Sequence, residues 1–323
     1  MYLQRVTPEE AAGHLLCHHQ TNEEGRRVLQ KGRIVRPEDV ETLRALGKAT
    51  VYVAVLEAND VLENEAAQAL GEVLVRPHIT ASRASAGRVN LIAAGEGLLK
   101  VNAAALAELN SLPGITLATL PTNALVQPRK YVGTVKIIPY AIPKADLEQA
   151  LEICRSAAVI DLAPFWVKEV TLVTVGSPAA REKVQGGYTP ALRRRIEELG
   201  GTLHAGPYVP EDEEDLAEAL HKALDGSTEM VLVAGETSIV DDDDIIPRAI
   251  RAIGGQVIRY GVPVEPGNLL LLAYCDQTPI VGVPGCAKSK TTNVVDLVFR
   301  RLMAGERLTQ TDLIEFGHGG YLI

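Results

Sequence analysis

From residue 167 onward, short aliphatic runs alternate with longer amphipathic stretches. The runs at 170–175, 202–209, 230–234, 256–260, 269–274 and 279–283 predict strands, because they are short, rich in branched or aromatic residues and bounded by turn formers. The stretches at 189–199, 212–224, 245–253 and 289–303 predict helices, each long enough to cross over from one strand to the next. Strands alternating with helices of that length imply an α/β domain, a mostly parallel sheet with helices on both faces. Ligands in such sheets bind beyond the carboxyl ends of the strands.

The first half reads differently. Thr7 can cap a helix, Pro8 fits its first position and Glu10 completes a capping box, so a short helix is expected from there through Leu16. Residues 21–34 are polar and turn-rich. Arg36-Pro37-Glu38-Asp39 opens a helix with Val40, Leu43 and Leu46 on one face and Gly47 at its end. A strand at 51–55 and a helix at 64–74 follow. The segment 87–140 is β-rich, with strands expected at 88–93, 98–101, 115–119 and 132–138. A helix at 144–154 leads to a linker near 158–165. The expected organisation is a smaller, β-rich α+β domain over residues 1–160, followed by the α/β domain over residues 165–323.

Composition narrows the function classes. With 46% apolar residues in 323, two cores are affordable, and with aromatics at 4% they rest on Leu, Val, Ile and Ala. A net charge of −9 repels a phosphate backbone and argues against general nucleic-acid binding. It leaves room for a small anion, since backbone N–H groups and a bound cation can offset local charge. Cys17, Cys154, Cys275 and Cys286 form no C-x-x-C pair, and reduced thiols are expected. The first twenty residues lack the layout of a secretory signal, and the aliphatic run 269–273 is too short to span a bilayer. A soluble, cytoplasmic protein with no membrane partner is expected.

The chemistry concentrates in loops that follow strands. Gly235-Glu236-Thr237-Ser238 gives close backbone approach and two hydroxyls, and four carboxylates, Asp241 to Asp244, come next. Carboxylates beside a phosphate need a hard cation between them, and Mg²⁺ takes one or two carboxylates plus phosphate oxygens. The alternative is a solvated acidic loop capping the next helix. The second loop, Gly282 to Ser289, offers Gly285, Cys286, Lys288 and Ser289 between a strand and a helix. There helix N–H groups can meet an anion, though an ordinary connection reads equally well. Asp212, after the 202–209 strand, is a candidate site residue or simply a helix cap. Gly176-Ser177-Pro178 is a phosphate-binding turn or a plain turn. His14, Cys17, His18 and His19 cluster near the N-terminus; on a helix His14 and His18 would share a face, as metal ligands or as surface residues.

Taken in order, these motifs resemble the molybdopterin-binding domain shared by molybdopterin adenylyltransferase and molybdenum insertase. The carrying residues are Gly235-Glu236-Thr237-Ser238, Asp244-Ile245-Ile246-Pro247, Gly254-Gly255-Gln256-Val257, Glu265-Pro266-Gly267-Asn268 and Val283-Pro284-Gly285-Cys286-Ala287-Lys288-Ser289. The N-terminal part, through Ala12-Gly13-His14-Leu15-Leu16-Cys17-His18 and Lys31-Gly32-Arg33-Ile34-Val35, resembles insertase-like proteins. The resemblance implies that Asp241 and Asp244 are catalytic, Mg²⁺-associated carboxylates. It implies that Gly235, Thr237, Ser238, Gly285 and Ser289 line a pocket for a phosphorylated pterin, with Asp212 as a further acidic residue, ATP or AMP as nucleotide partner and a homo-oligomer as the assembly; Glu236, Cys286 and Lys288, in the same loops, are binding candidates beside them. It departs from the family pattern where Glu236 replaces a glycine, where Cys286-Ala287 replaces Asn-Pro, and where the segment between Ser238 and Pro247 is one residue longer. Two functions are therefore carried: Mg-dependent adenylyl transfer or metal insertion in molybdenum-cofactor biosynthesis, and a non-catalytic molybdopterin carrier or sensor.

Overall fold

A computed structural model describes residues 1–322, so residue 323, the last of the expected second domain, lies outside it. The chain divides into two compact units, Met1–Ala163 and Pro164–Ile323.

In the first unit, Val51–Val55 lies between Tyr2–Val6 and Leu15–Leu16, all antiparallel. Leu43 of the helix Pro37–Ala45 shares a core with Val6, Leu16, Val51 and Val53. A second, antiparallel sheet runs Ile115–Thr119, Tyr131–Ile137, Arg88–Ala93, Ile79–Ala81, and the helices Glu63–Val73 and Lys144–Ser156 bury Leu70, Ala150 and Ile153 with it. Two expectations fail here. Residues 7–16 form no helix: the Thr7–Glu10 capping bonds exist, but Gly13 at φ +87° ends the turn, and Leu15 and Leu16 pair with Ala54 and Val53 instead. Sheet hydrogen bonds and burial of two leucines outweigh so short a helix, which nucleates poorly. His14 and His18 consequently share no helix face. The expected linker at 158–165 contains the strand Ile160–Ala163, which pairs with Gly97–Val101, because Ile160 and Leu162 alternate into the core.

The second unit is built from β1 (Glu169–Val175), α1 (Arg181–Glu197), β2 (Thr202–Val209), α2 (Glu213–Leu224), β3 (Met230–Gly235), α3 (Ile245–Ala252), β4 (Gln256–Tyr260), β5 (Leu271–Cys275), β6 (Thr278–Gly282), α4 (Val294–Met303) and α5 (Gln310–Glu315). The sheet order is β2-β1-β3-β6-β5-β4. The first four strands are mutually parallel, and β5 runs antiparallel to both of its neighbours. Every residue of β3 is buried, as a strand covered on both faces requires. Val173, Val231 and Val233 pack with Leu216, Leu220, Ala249 and Ile250 of α2 and α3. Leu172, Leu232 and Val281 point the other way and are equally buried, so both faces are covered. Among the described residues no helix is long and apolar enough to cross a membrane.

The six strands of this sheet form where the aliphatic runs predict them, within two residues. Two helix starts do not. α1 begins at Arg181 rather than 189 and runs through Gly186, Gly187 and Pro190, residues that read as breakers. α4 begins at Val294 rather than 289, because the buried Asn293 caps it: Asn293 Oδ1 accepts from Val295 N–H at 3.1 Å, and Asp296 Oδ2 accepts from Asn293 N–H at 2.8 Å. Residues Gly285–Lys288 form only a single 3-10 turn before it.

Candidate functional site

The register of the parallel strands brings their exits to one edge: Val175 lies opposite Val209 and Gly235, and Val233 opposite Gly282. The loops that leave these strands form the rim. Because β5 is reversed, the segment entering it joins the same rim. Val294 N–H donates to Pro266 O at 3.1 Å, and a Cβ on Gly267 (φ +124°) would collide with Val294 and come within 3.2 Å of Cys286 Sγ. Only glycine suits that position.

The loop after β3 carries most of the predicted residues. A Cβ on Gly235 would stand 2.6 Å from Thr237 O, so the chain folds back on itself here only because glycine is present. Ser238 Oγ accepts from Gly285 N–H at 3.3 Å and so joins the two predicted loops. Ile239 is buried, and its carbonyl accepts from Tyr260 Oη at 2.7 Å, which fixes the middle of the loop. A cavity of about 280 Å³ opens at this point, lined by Val175, Glu211, Gly235, Thr237, Ile239, Asp244, Ile245 and Ile246.

Of the predicted residues, Gly235, Thr237 and Asp244 meet in that cavity. Asp212 does not line it; its Oδ1 caps α2 by accepting from Glu214 and Asp215 N–H at 2.9 and 3.1 Å. The neighbouring Glu211 lines the cavity instead. Its position just after a strand exit is the sequence feature that could have marked it.

The four aspartates divide by partner. Asp242 pairs with Arg251 at 2.6 Å and Asp243 with Arg248 at 2.8 Å. The Arg248 hydrogen bonds and charge hold the Asp243 carboxyl below the usual carboxylate range. Asp241 and Asp244 accept instead from backbone N–H groups: Asp241 from Asp243 at 2.9 Å, Asp244 from Val240 at 3.0 Å and, as the α3 cap, from Ile245 at 2.7 Å. Among the described residues no group of three or more His, Cys, Asp or Glu side chains converges as a metal cage. Asp241 and Asp244 retain lone pairs, which fits an ion bridged by a ligand's phosphate rather than one held by protein alone.

Glu236 reaches back to the loop after β1. Ser177 N–H and Oγ donate to Glu236 Oε2 at 2.9 and 2.7 Å, and these bonds hold the Glu236 carboxyl below its ordinary range, with some help from the charge of Lys183. The loop between β6 and α4 is organised by a residue that sequence reasoning missed. Arg195, 3% exposed, donates to the carbonyls of Ala287, Ser289 and Thr291 at 3.0, 2.7 and 3.2 Å. The only sign of it in the sequence is a cation on the buried stripe of Tyr188, Leu192 and Ile196. Lys288 lies over the Tyr188 ring, its Nζ 4.4 Å from the centroid, and a Cβ on Gly187 would come within 3.3 Å of the lysine stem. Burial pushes the Tyr188 hydroxyl up to about 12 and raises the Cys286 thiol. Ser289 Oγ pairs with Thr291 Oγ1 at 2.7 Å, in the turn that precedes the Asn293 cap of α4.

Comparison with known proteins bears on this edge of the sheet. Residues 171–304 match the family described as a probable molybdopterin binding domain, and residues 5–55 match a domain of unknown function, DUF8806. A molybdopterin molybdenumtransferase of Synechococcus elongatus is 27% identical over 152 residues, 44% of this chain. The match spans only 38% of that relative's own length. Among solved structures, a molybdopterin biosynthesis MoeA protein from Pyrococcus horikoshii aligns with 94% of this chain and 75% of its own, at 14% identity and a TM-score of 0.33. The molybdopterin biosynthesis enzyme MoaB from Thermus thermophilus aligns with 43% of this chain and 98% of its own, at 17% identity and a TM-score of 0.33. The match to the probable molybdopterin binding domain runs from within β1 through α4 and takes in each loop of the rim.

Proposed function

We propose that the second unit binds molybdopterin at the carboxyl edge of its parallel strands and acts in molybdenum-cofactor biosynthesis. The observation that carries this reading is the junction of two Gly-containing loops, through Ser238 and Gly285, beside a cavity lined by Gly235, Thr237 and Asp244. Backbone and hydroxyl donors with little side-chain bulk suit a flat, phosphorylated heterocycle. Glu236, Cys286, Lys288 and Ser289 complete the binding rim in this proposal, with Asp212 at its border. In the catalytic form of the reading, Mg²⁺ enters with the ligand's phosphate and meets Asp241 and Asp244, with ATP or AMP as nucleotide partner. The ion would supply charge neutralisation; the chain's own loops would orient the pterin. The first unit then serves as an insertase-like α+β domain, the working form is a homo-oligomer, and the compartment is the cytoplasm.

A specific observation favours the second form, a carrier or sensor that leaves its ligand unchanged. Glu236 places a carboxylate on the Ser177 turn of the rim, where a nucleotide phosphate would meet a like charge. The deciding experiment titrates molybdopterin into the protein with and without Mg²⁺ and ATP while nucleotide products are followed. Binding with AMP formed or transferred establishes the enzyme. Binding with nucleotide untouched establishes the carrier. Absence of molybdopterin binding under all conditions overturns both.

A further inference from the structure

Ser177 offers two donors to a single oxygen atom, a backbone N–H and a hydroxyl, at the first turn leading into α1. Such a pair is suited to a phosphate oxygen, since donors to an anion are short and strong. The turn is rigid before any ligand arrives. Tyr208 Oη donates to Ser177 O at 2.7 Å, and Gly176 admits no side chain, because a Cβ there would stand 2.5 Å from that Oη and 2.8 Å from Glu236 Cβ. Both donors are already directed to Glu236 Oε2. The Glu236 backbone is also fixed, its N–H donating to Val175 O at 2.9 Å. Only rotation of the Glu236 side chain can free the seat, and the carboxylate so released stays tethered beside it.

We propose that Glu236 is a specificity-determining residue whose carboxylate occupies the Ser177 seat and closes it to a nucleotide phosphate, so that the pocket accepts the phosphopterin and rejects its nucleotide-bearing form. The pterin half of this statement rests on the function proposed above; the exclusion of nucleotide phosphate does not. An incoming phosphate has to replace two hydrogen bonds already made and then lie against a like charge. Both effects have the same sign.

The test measures binding of Mg²⁺-ATP and of AMP by calorimetry to the wild-type chain, Glu236→Gly, Glu236→Gln and the double variant Glu236→Gly/Ser177→Ala. Glu236→Gly should tighten nucleotide binding at least about tenfold, the scale of one charge-assisted hydrogen bond regained. Glu236→Gln, which keeps the shape and removes the charge, should give a smaller gain. Adding Ser177→Ala should cancel the gain. Unchanged or weaker nucleotide affinity in both folded single variants, including no measurable binding by any of the proteins, overturns the proposal. Molybdopterin titrated into the same preparations reads the proposed function separately: its failure to bind the wild type sinks that function, while the nucleotide gain still decides the role of Glu236.

Discussion

Arg195 on α1 and Asp296 on α4 meet at 3.0 Å, with the arginine side chain 3% exposed and the aspartate 17%. The same guanidinium gathers three carbonyls of the loop after β6, and the same aspartate closes the cap of α4 through Asn293. One ion pair therefore holds a helix pair and a rim loop together. Arg195→Met should cost roughly 3 kcal/mol, since it strands a part-buried carboxylate and three carbonyls. Arg195→Lys should not restore the loss, because an ammonium cannot fork to that set of partners. Urea unfolding of the three proteins checks both statements.

Asp312 gives the domain an acid limit. Burial pushes its carboxyl up, but hydrogen bonds from Thr309 and Arg301 prevail and hold it at about 2, against an ordinary 3.8. A carboxyl whose folded pKa is depressed stabilises the fold above its unfolded pKa and loses that contribution as pH falls through the folded one. The contribution, about 2 kcal/mol, should be complete above about pH 4 and disappear toward about pH 2. Urea midpoints measured over that range should slope downward in the wild type and flatten in Asp312→Asn.

Asp244 joins a structural role to a proposed functional one, and substitution can separate them. Asp244→Ala removes the α3 cap and the bond to Val240, and should cost about 1 kcal/mol. Asp244→Asn keeps an oxygen acceptor and should stay near wild-type stability. If Mg²⁺ bridges Asp241 and Asp244 to a ligand's phosphate, Asp244→Asn should abolish the Mg²⁺ dependence of molybdopterin binding. An unaltered Mg²⁺ dependence in Asp244→Asn and Asp241→Asn would reject that bridge.

Gly235→Ala should be costly out of proportion to its size. The added methyl meets Thr237 O, a backbone atom that can move only if the loop moves. A loss of about 1–3 kcal/mol is expected, accompanied by weaker molybdopterin binding. Thermal unfolding and a binding titration on one preparation read the two effects.

What could be read from the sequence follows from how local each feature is. The strands of the second unit are legible because a strand covered on both faces must be an unbroken aliphatic run, as in Met230–Gly235. The start of α4 is misread because Ser289 resembles a cap, while the actual cap, Asn293, is chosen by burial. The start of α1 is misread because Gly186, Gly187 and Pro190 look like breakers, yet Gly187 makes room for Lys288 from the opposite loop. The loop residues Gly235 and Thr237 are legible as a motif, and Glu236 as a charge where the family carries glycine. Its partner is not legible: Ser177 lies 59 residues away, and only the parallel pairing of β1 and β3 brings the two together. Arg195 is hidden for the same reason, with its loop partners 92 to 96 positions along the chain.

The reversal of β5 has a consequence for how the rim comes into being. Four of its loops leave strands, but the Gly267 segment enters one, and it is pinned by Val294 from the next helix. The rim is thus sewn from distant stitches, and the Gly267 segment takes its place only when β5 has joined β6 and α4 has docked. The β5–β6 hairpin is local, but the parallel pairings of β1, β2, β3 and β6 that carry the other loops are non-local and form slowly, because ordering precedes reward. A molecule that fits the finished rim would consequently act as a clasp on completed topology, stabilising only chains in which the last crossover has been made.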